Sequence, residues 1–179
     1  IDIVDVVQDN RIYGLTKGQY SPTSEHGKHT PTSPEGAAEW PVQPLSMAIT
    51  AGATFVSRGY SGELKHLAWL IGEALNHPGY ALVDVLQPCV TFNRGYAYDF
   101  YNERVYKLED EEGYDPSDKA AAWKRSLEWG ERIPLGIFYR VERATYEDQV
   151  PALQAGPLVK QPLSTLAADQ AAALQAEIS

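Results

Sequence analysis

Two short stretches of this chain carry residue types whose placement suits work on a ligand. In the first, Asn10 stands just past the apolar run that begins at Ile3, and Ile12 follows two residues later. Magnesium on a diphosphate takes oxygen ligands in octahedral geometry, a few from protein and the rest from phosphate. An amide oxygen after a strand and an outward-facing carbonyl two residues on can supply two of them. Asp9-Asn10-Arg11 is equally the composition of a plain polar turn. In the second stretch, Cys89, the only cysteine of the chain, ends another apolar run. A lone cysteine at a strand end is ordinarily a small buried hydrophobe. The four histidines offer less. His26 and His29 share a loop with Lys28, and His66 and His77 belong to a helix and its end. None has the further ligands at close spacing that a three- or four-ligand metal site requires. No Walker loop, dinucleotide fingerprint or Gly-Xaa-Ser-Xaa-Gly elbow is present.

Alternating apolar runs and amphipathic stretches position these residues. Ile3 to Gln8 reads as a strand with Asp5 an unexplained polar insertion, and residues 18 to 41 as a long irregular loop. Pro44 to Ala51 reads as a short helix with proline at its start, and Thr54 to Val56 as a short strand. Glu63 to Asn76 forms an amphipathic helix with Leu64, Leu67, Ala68, Ile71 and Leu75 on one face, stopped by His77-Pro78-Gly79. Tyr80 to Leu86 is apolar except for Asp84 and predicts a strand buried on both faces. Asp99 to Val105 is expected to be helical, as is the stretch capped by Asp115 to Asp118 and running to about Trp129. Ile133 to Val141 is the last strand. Strands separated by helices imply an open α/β sheet, mostly parallel, and such sheets bind ligands at the carboxyl ends of their strands. Asn10 and Cys89 both fall at such ends.

Composition narrows the function classes. At 179 residues, 44% hydrophobic and 22% charged, the chain is globular rather than disordered. A net charge of −9 without a basic stripe excludes nucleic acid as the main partner. The run Glu109 to Glu112 reads as a solvated loop. No apolar stretch reaches membrane-spanning length and no secretory signal is visible. One cysteine excludes an intrachain disulfide and suits a reducing compartment, so a cytoplasmic location is expected. The start at Ile1, inside a strand, leads us to expect a preceding segment.

The longer strings around both stretches are distinctive. Asn10-Arg11-Ile12-Tyr13-Gly14-Leu15-Thr16-Lys17-Gly18-Gln19 and Val83-Asp84-Val85-Leu86-Gln87-Pro88-Cys89-Val90-Thr91-Phe92-Asn93 resemble the β subunit of the 2-oxoacid:ferredoxin oxidoreductases. Gly52 to Gly59, Lys65-His66-Leu67, Glu103 to Leu108, and Ala121 to Trp129 running into Ile133 to Ile137 extend the likeness to roughly residues 3 to 153. The resemblance implies a thiamine-diphosphate-binding, pyrophosphate-type α/β domain over 1–153, with a tail at 154–179 that packs against something outside it. It implies that Asn10 lends its side-chain oxygen and Ile12 its carbonyl to Mg2+, and that Leu15 lies against the cofactor near its reacting end. Lys17 falls where the family places a basic side chain that handles substrate or coenzyme A; its plainer reading is an exposed loop lysine. Cys89 would be the fourth ligand of a [4Fe–4S] cluster, which needs four thiolates. The Gly-Asp-Gly half of the cofactor motif and the other three cysteines are absent, and are expected in the preceding segment.

The implied activity is coenzyme A-dependent oxidative decarboxylation of a 2-oxoacid, with electrons passed to ferredoxin and an α subunit as partner. The Thr16-Lys17-Gly18-Gln19 form resembles enzymes acting on 2-oxoglutarate or several 2-oxoacids, and pyruvate also fits. In the same loop, His26, Lys28 and His29 would lie near the active-site entrance, placed to steer anionic substrates or coenzyme A. Two alternatives stay open: a cluster-free thiamine-diphosphate decarboxylase or ligase, and a non-catalytic α/β interaction subunit.

Overall fold

The strands β1 (Ile3–Asp9), β2 (Phe55–Tyr60), β3 (Tyr80–Leu86), β4 (Val105–Lys107) and β5 (Ile133–Arg140) form one sheet in the order β1-β3-β2-β5-β4. The computed structural model describes residues 2–160 and 175–176. The chain divides into two units, Ile1–Arg143 and Ala144–Ser179, and the sheet belongs to the first. β1, β3 and β2 run parallel, and β4 runs parallel to β5. The sheet is therefore mostly parallel, as its pattern implies, with one reversal where β5 runs antiparallel to β2.

The reversal has a plain cause. After β3 the chain crosses the sheet, through α3 (Tyr98–Asn102), without returning to the amino ends of the parallel strands, so β4 starts at the end where β3 stops. Val105 pairs with Ile133, so β5 starts at that end too. One end of the sheet thus gathers the carboxyl ends of β1, β2 and β3 and the starts of β4 and β5.

The helices α1 (Pro44–Ala51), α2 (Leu64–Leu75) and α4 (Lys119–Ser126) lie close to expectation. The carboxylate of Asp118 caps α4, accepting from the N–H groups of Ala120 and Ala121, and the helix stops three residues short of Trp129. The stretch expected to be helical from Asp99 to Val105 is divided: α3 ends at Asn102 and Val105 opens β4. A three-residue strand is too short to show a period. β2 runs on to Tyr60, fully buried, because Ser57 and Arg58 find partners inside: Ser57 donates to the Leu82 carbonyl and Arg58 pairs with Asp84.

The face of α2 also differs from its pattern. Leu67, Leu70, Ile71 and Ala74 pack inward, while Leu64, Ala68 and Leu75 are exposed. Asp5 is explained by its place on the edge strand, where it is exposed and accepts the Tyr80 hydroxyl. The acidic run is more engaged than a solvated loop. Glu109 accepts the Ile137 N–H and lies 3.5 Å from His66, and Glu111 pairs with Arg125 and Arg132. Burial pushes Glu109 up, but the nearby His66 imidazole and hydrogen bonds from backbone N–H groups prevail and hold its carboxyl below the usual range.

In the second unit, α5 (Tyr146–Gln149) carries a reciprocal capping box between Thr145 and Asp148. Most of the Ala- and Gln-rich tail expected to pack elsewhere lies outside the described residues.

Candidate functional site

β1 delivers Asn10 into a tightly hydrogen-bonded loop. The buried Asp9 carboxylate accepts the Arg11 N–H at 3.1 Å and the Thr23 hydroxyl at 2.6 Å. The Asn10 side-chain oxygen accepts the Ile12 N–H at 3.1 Å, an Asx turn that puts Arg11 in the left-handed region at φ 55°. That conformation is costly for an arginine and is fixed from both sides. Its carbonyl is held by the Ser24 hydroxyl and by Asn93, and its guanidinium is stacked 4.1 Å over the Trp129 ring.

The carbonyls in this loop are not treated alike. Those of Asn10 and Arg11 are both taken by Asn93 Nδ2, at 3.0 and 3.3 Å. Among the described residues no donor reaches the Ile12 carbonyl. The Asn10 amide oxygen keeps a second lone pair. The second lone pair of the Asn10 amide oxygen and the Ile12 carbonyl thus have no donor among the described residues, and neutral oxygen donors of this kind suit a hard cation.

Beyond Ile12 the chain makes a tight loop closed by a Tyr13–Gln19 bridge, with Lys17 at φ 72° and Gly18 at φ 106°. Leu15 and Lys17 are exposed at its tip, Leu15 almost wholly. Asn10, Ile12 and Leu15 line a cleft of about 1150 Å³ rimmed by the exposed Tyr13, Trp40 and Val42; Lys17 and Cys89 stand outside it.

Cys89 follows β3, half-buried, in a turn closed by the Asn93 N–H donating to its carbonyl at 2.9 Å. Two glycines join this turn to the first loop. A Cβ placed on Gly14 would stand 3.4 Å from Cys89 Sγ and 4.0 Å from Asn10 Nδ2, and one on Gly18 would stand 3.3 Å from the Phe92 ring. Asn10 and Cys89, 79 positions apart by number, thus border the same glycine.

Other residues complete the site without having stood out in the sequence. Arg58 and Asp84 form a buried ion pair at 2.9 Å behind it, and Arg58 shares the Trp129 ring with Arg11. Burial pushes the Asp84 carboxyl up to about 6, against the pull of Arg58. The one visible signal was Asp84, which interrupts the apolar run from Tyr80 to Leu86. Lys28 donates to Asn93 Oδ1 at 2.9 Å and reaches Glu25 at 3.4 Å. His26 stacks on Trp40 with ring centroids 4.5 Å apart, and His29 lies 2.6 Å from the Pro34 carbonyl. Among the described residues no three His, Cys, Asp or Glu side chains gather as a metal-ligand group. No helix among them is long and apolar enough to cross a membrane.

The mostly parallel α/β sheet, with a cleft beside the end of β1, has the architecture of a thiamine-diphosphate-binding domain, as a family model shows. The family model for the C-terminal cofactor-binding domain of thiamine pyrophosphate enzymes matches residues 1–85, and the model for the C-terminal part of the pyruvate ferredoxin oxidoreductase β subunit matches 89–155. The β subunit of 2-oxoacid:ferredoxin oxidoreductase 1 from Aeropyrum pernix is 43% identical over 160 residues, covering 84% of this chain and 50% of the relative. Its counterpart from Saccharolobus solfataricus is 42% identical over 160 residues, covering 84% and 52%. A solved structure of the 2-oxoglutarate:ferredoxin oxidoreductase from Magnetococcus marinus, with 2-oxoglutarate, coenzyme A and succinyl-CoA bound, superposes with a TM-score of 0.79 at 36% identity. It covers 88% of this chain and 54% of that one. The chain belongs to the family of 2-oxoacid:ferredoxin oxidoreductase β subunits, and spans about half the length of these relatives.

Proposed function

We propose that this chain serves in the β subunit of an enzyme that joins a 2-oxoacid to coenzyme A. The 2-oxoacid and coenzyme A yield acyl-CoA, carbon dioxide and a proton, and two electrons pass singly to two oxidised ferredoxins. The observation that carries this reading is the shared border at Gly14, where the Asn10 loop and the Cys89 turn meet. A site for the diphosphate's metal and a site for an electron-transfer cluster would then be packed against each other.

Asn10 and Ile12 would hold Mg2+ through the amide oxygen and the carbonyl. Cys89 would supply one of the four thiolates of a [4Fe–4S] cluster, the other three coming from elsewhere in the subunit. When bound, thiamine diphosphate supplies the carbanion chemistry and the cluster the one-electron transfers. The protein's part is position and exclusion of water. Leu15, with its apolar surface exposed at the cleft, would cover the cofactor's reacting end, and Lys17 beside it would meet the anionic groups of substrate or coenzyme A. A domain over residues 1–153 with an appended tail, an α subunit as partner and a cytoplasmic location complete the reading. 2-Oxoglutarate, or several 2-oxoacids, are the substrates it favours.

The test is viologen reduction by the complex purified from its source, with 2-oxoglutarate or pyruvate, with and without coenzyme A. Reduction that needs both a 2-oxoacid and coenzyme A is expected. Bound thiamine diphosphate without reduction would point to a cluster-free enzyme, and neither cofactor to an interaction subunit.

A further inference from the structure

The side chain of Asn93 sits where the two halves of the site meet, and every polar group it owns is committed. It is 1% exposed. Nδ2 donates to the carbonyls of Asn10 and Arg11, and Oδ1 accepts the Lys28 ammonium. Its N–H closes the Cys89 turn, and its carbonyl accepts the Tyr96 N–H at 2.9 Å. An ammonium can only donate, so Lys28 fixes which end of the amide is oxygen and turns Nδ2 toward the two carbonyls.

We propose that Asn93 is a positioning residue that couples the metal-holding loop to the cluster-ligating turn, with Lys28 locking its orientation. The inference rests on the functional reading given above and deepens it. Asn93 ties down the two carbonyls that precede Ile12, so the carbonyl left free is the one that would meet the metal. The same residue sets the geometry of the Cys89 main chain. A shift at either loop is felt by the other through one side chain. Lys28, which its loop would otherwise offer to anionic substrates, is drawn inward: its side chain is 19% exposed.

Asn93→Asp tests this with almost no change of volume. A carboxylate oxygen would face the carbonyls of Asn10 and Arg11 where an amide now donates, while Lys28 keeps its partner. In the purified complex stripped of thiamine diphosphate, Mg2+-dependent rebinding is read by quenching of tryptophan fluorescence. In the same preparation, the electron paramagnetic resonance spectrum of the dithionite-reduced cluster is recorded. We expect affinity to fall roughly tenfold or more, the scale seen when a supporting hydrogen bond behind a metal ligand is lost. The cluster spectrum should shift or broaden in the same variant. Lys28→Met, at a partly exposed site and able to fold if the first variant does not, should give a smaller change of both readouts together. Native affinity and a native spectrum in folded Asn93→Asp or Lys28→Met complex would overturn the coupling, as would a change in only one readout. A wild-type complex showing neither cofactor would instead overturn the functional reading, and the coupling with it.

Discussion

The two ends of β1, β2 and β3 are built from different chemistry. At their amino ends, Phe55, Ala74, Ala81 and Val83 pack as an apolar cluster, with Val4, Leu67 and Ile71 beside it. Toward their carboxyl ends, Asp9, Arg11, Arg58 and Asp84 are buried together near Tyr101. Arg11 Nε, Arg58 Nη1, Asp84 Oδ1 and the Tyr101 hydroxyl have no hydrogen-bond partner among the described residues. Apolar burial favours folding directly. Buried charge breaks even at best against apolar packing of the same volume. The first end therefore supplies stability, and the second, beside its own apolar cluster of Tyr60, Leu86, Tyr101, Ile133 and Leu135, spends some of it to fix the loop that carries Asn10.

Substitution should separate the two ends, and the charged end should answer most strongly. Asp84→Leu leaves the Arg58 guanidinium buried without its counter-ion and its Nε without an acceptor, a loss of about 4 kcal/mol by the behaviour of broken buried pairs. Replacing both partners, Arg58→Met with Asp84→Leu, should restore most of that stability in urea unfolding. It should not restore native affinity for thiamine diphosphate and Mg2+, because the Arg58 charge shares the Trp129 ring with Arg11. A double variant as unstable as the single one would contradict the account of the pair.

Phe55→Ala probes the apolar end. A loss of about 3 kcal/mol is expected, within the range for a fully buried phenylalanine whose ring leaves a cavity. The folded fraction should keep native cofactor affinity. Altered affinity in that fraction would break the division between the two ends.

How much of this was legible follows the range of the interactions. Apolar runs exposed β1 and β3, and the rule for open α/β sheets put Asn10 and Cys89 at one end of the sheet. The Asn93–Lys28 and Arg58–Asp84 partners are 65 and 26 positions apart, so no local period could pair them. Gly14 and Gly18 looked like loop glycines, and only the folded turn shows them as contact surfaces for Cys89 and Phe92. The face of α2 was misjudged because Leu64 and Leu75 satisfy helical spacing yet remain exposed. Spacing fixes which residues share a face, but not which face the sheet covers.

The smallest effect distinguishes the two ends by sign. His77, behind Phe55, is buried; its Nε2 lies 2.8 Å from the Thr54 hydroxyl and its Nδ1 has no hydrogen-bond partner among the described residues. Burial, helped by the Arg140 charge, lowers its pKa below the ordinary 6.5. The unfolded chain then takes up this proton before the native one does. Stability from His77 is complete above about 6.5 and is lost as pH falls toward the depressed value. Asp84 behaves oppositely. With its carboxyl raised to about 6 in the fold, the native state takes up the proton first, so stability is gained as pH falls through 6 toward the ordinary 3.8. Unfolding midpoints followed from pH 7.5 to 5 should therefore fall more steeply in Asp84→Asn than in the wild type, and less steeply in His77→Gln. Parallel profiles for all three would show that neither group titrates with folding, and the contrast between the two ends would then rest on packing alone.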